Sequence, residues 1–104
     1  MTINDLLDFL QNTLRISQRE AAAAAEVTAK IAAFKYEAEL YKVFTEEDIH
    51  KANTLSASDA QAYLHARYLD ITGERSDNLL TKIIDEVVSA VMQKPQDYFR
   101  FSNS

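Results

Sequence analysis

The sequence has no cysteine, one glycine and one proline in 104 residues. Without thiols there is no disulfide, no thiolate nucleophile and no thiolate metal ligand. One glycine leaves no phosphate-cradling glycine loop. One glycine and one proline also supply too few tight turns for a many-stranded β fold. No apolar run approaches the ~20 residues that a membrane-spanning helix needs. The opening stretch MTINDLLDFLQNTL carries Asp5 and Asp8 where a secretory or transit peptide carries basic residues. A soluble, cytoplasmic protein is the expectation. Dense positive charge is missing too. The formal net charge is −5, with the acids spread along the chain. Each phosphate contact asks for a cation, so neither nucleic acid nor an anionic membrane is the expected main partner.

What is present is helical periodicity. Residues 2–15 place Ile3, Leu6, Leu7, Leu10 and Leu14 on one face, and Thr2 with Asp5 forms a capping box with aspartate in place of glutamate. Ser17 and Glu20 repeat the capping pattern, which predicts a bend or short break before a second helix over residues 18–44. Thr45 then caps a short helix over 46–52. Ser56 or Ser58 caps another over 57–71, closed by Gly73, which takes a left-handed conformation at low cost. A last helix over 79–93 carries Leu79, Leu80, Ile83, Ile84, Val87, Val88, Val91 and Met92 and is the expected centre of the core. Pro95 ends it.

The long helix opens on five consecutive alanines and has two opposed apolar stripes. One holds Ala22, Ala25, Ala29, Ala32, Ala33, Tyr36, Leu40 and Val43; the other holds Val27, Ile31, Phe34, Ala38 and Tyr41. Arg19, Glu26, Lys30 and Glu37 run along one seam between them, and Lys35, Glu39 and Lys42 along the other. A helix on a protein surface needs one apolar stripe. Two stripes predict packing on both sides, the larger side chains filling a core and the alanines admitting a second helix at close range. Ala24 is expected to point away from that contact, towards the Lys35 and Lys42 seam.

Few residues suggest chemistry. His50 and His65 are the only histidines, and they lack the tight spacing of a zinc motif. The acids Glu46, Glu47 and Asp48 suit a helix N-terminus by their charge alone. No serine sits in a nucleophile elbow. No catalytic residue, metal site or cofactor is expected. The tail packs Tyr98, Phe99, Arg100 and Phe101 together; it either anchors on the core or docks a partner, since aromatics and arginine are enriched at binding hot spots.

Together these features predict one all-α domain over residues 1–104: a compact bundle of four to five helices, with one long alanine-rich helix and an aromatic tail over 95–104. The expected function is a non-enzymatic protein-interaction module, a regulator, adaptor or inhibitor that pairs as a homodimer. Its expected interface is Ala22, Ala25, Ala29, Ala32, Tyr36, Tyr98, Phe99 and Phe101. Two other readings stay open. A DNA-binding regulator would use the helices near 46–71, where Arg67 is the one full cation of the would-be recognition helix. A ligand-binding protein or enzyme would build a pocket from Tyr36, Tyr41, Tyr63, Tyr68, His50 and His65.

Overall fold

In the computed structural model, which describes residues 1–101, Thr2 opens the first helix as a capping box. Its Oγ1 accepts from the Asp5 amide at 3.2 Å, and Asp5 Oδ2 accepts from the Thr2 amide at 2.7 Å. Helix α1 (Ile3–Asp8) then widens into a π-helical turn, Phe9–Thr13. The Leu14 amide donates to Phe9 O at 3.1 Å and the Ile16 amide to Leu10 O at 2.8 Å. Arg15 turns the chain with φ of 59°. A π turn inserts one extra residue into the helical repeat, so Leu14 leaves the face that carries Leu6 and Leu10. Those two are fully buried, whereas Leu14 is 39 % exposed and Ile16 fills the place expected of it.

The other helices follow their caps. The Glu20 amide donates to Ser17 Oγ at 3.2 Å at the start of α2 (Gln18–Tyr41). This helix stops three residues short of the expected end, in a turn where the Phe44 amide donates to Tyr41 O. Thr45 and Asp48 form a complete capping box for α3 (Glu46–Asn53), and Ser56 caps α4 (Ala57–Thr72). Gly73 closes α4 in the left-handed region at φ of 77°. Helix α5 (Ser76–Gln93) begins three residues before its apolar pattern does, and Pro95 opens a single further turn, α6 (Pro95–Tyr98). The fold is all-α, and no strand occurs among the described residues.

Helix α5 is the hub, touching α1, α2, α4 and α6. Its buried apolar side chains are Ile83, Val87, Val88 and Val91, with Leu79, Leu80, Ile84 and Met92 half-buried around them. Each fully buried side chain of this size contributes about 1.5–3 kcal/mol. Helix α2 buries Ala21, Ala24, Ala25, Thr28 and Ala32; Ala21 and Ala24 cluster with Val88 and Val91, and Ala32 with Ile83 and Val87. Small side chains on α2 thus meet branched ones on α5, and the two backbones approach closely. Thr28 joins this face because its hydroxyl donates to Ala24 O at 2.8 Å and leaves no polar atom unsatisfied.

The alanines therefore pack inside the chain. The buried stripe of α2 is rotated by about one residue from the expected one. Ala24, expected to face outward, is 3 % exposed, while Ala22, Ala29 and Ala33 face solvent. The long α2 and the α3–α4 pair stretch the molecule to 50 × 24 × 19 Å, with a radius of gyration of 16.9 Å. No helix among the described residues is long and apolar enough to cross a membrane.

Candidate interaction surface

At roughly 100° per residue, Val27, Phe34 and Tyr41 line up on the side of α2 opposite its buried stripe. Phe34 is 80 % exposed, Tyr41 48 % and Val27 45 %. These were the residues expected to fill a core; the structure gives that role to the alanine side and leaves this side in water. The reason is steric. The single α5 hub is covered on one side by α2, and the branched residues of α5 accept small partners, not a phenylalanine. Scattered exposed hydrophobics are ordinary, but three large ones in one row on one helix make this the candidate surface of the molecule.

Charge lies directly beside this row on one side; on the other, Lys35 and Lys42 stand further round the helix, behind Ile31 and Ala38, with Lys42 paired to Glu39 at 2.7 Å. Lys30 and Glu26 form an exposed i,i+4 ion pair at 3.4 Å, and Glu37 lies two turns further along the same seam. The other border is apolar, with Ile31 half-buried against the Ile83–Val87 cluster and Ala38 exposed. Beyond Ala38 a groove between α2 and α5 carries Lys35 and Glu39 on one wall and Lys82 and Glu86 on the other, over Leu79 and Ile83.

Of the residues expected at an interface, Ala25 and Ala32 are buried in the chain's own core at 4 % and 2 % exposure and have no surface to offer a partner. Ala22 and Ala29 are exposed, so the stripe is divided between core and solvent. Tyr36 packs half-buried on Ala32, Ile83 and Val87. Phe99 and Phe101 pack on the cluster of Leu6, Leu10, Ala24, Val88 and Val91, with ring centroids 5.9 Å apart. The tail thus anchors on the core through these two rings, and Tyr98 remains 47 % exposed. Residues 102–104 lie outside the described part of the tail.

The polar focus of the molecule sits elsewhere, between α3 and α4. Asp48 is 4 % exposed. Its Oδ1 accepts from Arg67 Nε at 2.8 Å and from the Tyr63 hydroxyl at 3.3 Å, while its Oδ2 accepts from the Thr45 amide at 3.1 Å. The Arg67 hydrogen bond, followed by the Thr45 amide, holds the carboxyl down to about 2. Burial, then the Asp48 charge, pushes the Tyr63 phenol above its ordinary value. Lys51 Nζ lies 5.0 Å from the centre of the Tyr63 ring. In the sequence Asp48 is legible only as an acid at a helix N-terminus. Its partners stand 15 and 19 residues away, on another helix. The same contact engages, through Nε, Arg67, the one lysine or arginine of α4.

The tyrosines and histidines expected to share a pocket are dispersed. Tyr36 belongs to the α2–α5 core, Tyr41 to the exposed face and Tyr63 to Asp48, while Tyr68 is buried on α4. His50 lines a hollow with Phe44 and Ile49. His65 Nδ1 is hydrogen-bonded to the Oγ of buried Ser76 and joins α4 to the start of α5. Among the described residues no group of three or more histidine, cysteine or acidic side chains converges to hold a metal ion. No family model, curated protein or solved structure matches this chain.

Proposed function

We propose that this protein is a non-enzymatic protein-interaction module, a regulator, adaptor or inhibitor that binds through the outer face of α2. The observation that carries the reading is Phe34, 80 % exposed in the C-terminal half of a 24-residue helix with Val27 and Tyr41 in line with it. A helix that offers an apolar row of this kind suits helix-in-groove or helix-on-helix recognition, in which apolar side chains on one helix face act as anchors. The rigid α2–α5 packing holds the row in place before binding, which lowers the ordering cost of association. The cysteine-free composition suits a reducing compartment, and we place the protein in the cytoplasm.

The test is affinity capture from the native host with wild type and Phe34→Ser in parallel, followed by mass spectrometry. A protein retained by wild type and lost with Phe34→Ser is the expected result. Identical sets of captured proteins from both would overturn the reading.

A further inference from the structure

We infer that the outer face of α2 binds the same face of a second copy of this chain, antiparallel, on a twofold axis beside Phe34. The inference rests on the reading of this face as a docking surface and names its occupant.

The motivation is a symmetry in the side chains. Val27 and Tyr41 stand seven residues before and seven after Phe34. Lys30 and Ile31 stand four and three before it, Glu37 and Ala38 three and four after. At roughly 100° per residue, Lys30 and Glu37 fall on one border of the row, and Ile31 and Ala38 on the other. A twofold axis perpendicular to both helices reverses chain direction but keeps each border opposite itself. Phe34 then meets Phe34 of the second copy, and Val27 meets Tyr41. Lys30 faces Glu37, Ile31 faces Ala38, and every contact occurs twice. The charged border is complementary to itself, and the apolar border likewise.

Parallel pairing lacks this match. It would set the Lys30–Glu37 border against the Ile31–Ala38 border and place each charge beside an apolar side chain. Border charges of this kind choose orientation in paired helices. The present partner of Lys30 is Glu26 at 3.4 Å, with both side chains more than 70 % exposed, so exchanging it for Glu37 of the second copy costs little. The patch from Val27 to Tyr41 is about 21 Å long at ~1.5 Å per residue. It offers far fewer than the roughly 20–30 residues a side of a standard stable interface. The expected assembly is therefore a reversible dimer, dependent on concentration. A hollow between α2 and the Phe99–Phe101 tail, lined by Glu20, Ala23 and Val27, marks the N-terminal limit of the patch.

The absence of cysteine makes the test clean. Val27→Cys and Tyr41→Cys are made as separate single variants at exposed positions, their helical content and melting temperature are compared with wild type, and each is oxidised alone and as a mixture. The antiparallel pair predicts that the mixture forms a 27-to-41 disulfide in clear excess over either homodimer. Sedimentation equilibrium supplies the second reading. Wild type should shift from one chain to two with concentration, and Phe34→Ser should weaken association by about 30-fold or more. Lys30→Glu or Glu37→Lys alone should weaken it, because each sets like charges opposite one another, and the two together should restore it. A monomer at all concentrations, 27-to-27 disulfides in excess, or a double variant no better than the singles would overturn the inference. A monomeric wild type that still captures a partner through Phe34 would overturn the second copy alone and leave the interaction module standing.

Discussion

Arg67 on α4 donates from Nε to Asp48 Oδ1 at 2.8 Å and so ties α4 to the first turn of α3. The link has a definite pH signature. Asp48 titrates at about 2 in the folded chain, below its ordinary 3.8. A folded-state value below the unfolded one means that the stabilisation is present above the unfolded value and is lost as pH falls from about 3.8 towards 2. Asp48→Asn should lower the melting temperature at pH 7, and its deficit against wild type should shrink through that acid window. Melting curves of both proteins from pH 7 to pH 2 check this. A deficit that stays constant would remove the ion pair as its cause.

The π turn makes opposite predictions for two leucines four residues apart. Leu10 is fully buried and Leu14 is 39 % exposed. Leu10→Ala should cost about 2–5 kcal/mol, as other buried leucines do. Leu14→Ala should stay within about 0.5 kcal/mol of wild type. Urea denaturation measures both. An unbroken α-helix through residues 2–15 would make the two losses similar.

The alanine seam is tested by adding volume. Ala24 is 3 % exposed against the core, and Ala22 faces solvent. Ala24→Leu should push α2 away from α5 and lose about 1–3 kcal/mol. Ala22→Leu should be near neutral. Equal effects in thermal or urea unfolding would contradict the close contact of α2 with α5.

The tail separates in the same way. Phe99 and Phe101 are half-buried on the first core cluster, and Tyr98 is 47 % exposed. Phe99→Ala should lose roughly half of the ~3–5 kcal/mol that a fully buried phenylalanine loses, and Tyr98→Ala should change stability little. Deleting residues 95–104 should lower stability by more than either substitution, since Pro95 is buried as well. A deletion variant as stable as wild type would show that the rings do not anchor the domain.

Local signals determined most of the helical architecture. The capping residues Thr2, Ser17, Thr45 and Ser56, the left-handed Gly73 and the stop at Pro95 act within one turn of the chain, so their effect is legible in the sequence alone. Periodicity likewise placed α5 at the centre, because an apolar surface that wraps most of a helix has no stable place but the core. Tertiary structure decided which stripe of α2 is buried. Both stripes are apolar, and the choice belongs to α5, whose Val88 and Val91 pack with Ala24 and whose Ile83 and Val87 pack with Ala32, leaving Phe34 in water. It also decided the π turn, since Leu10 and Ile16 reach one cluster only if the chain takes in an extra residue between them. And it brought Asp48 to Arg67 and Tyr63 across two helices, a pairing with no local pattern, because a carboxylate removed from water must find its partners wherever the packing places them.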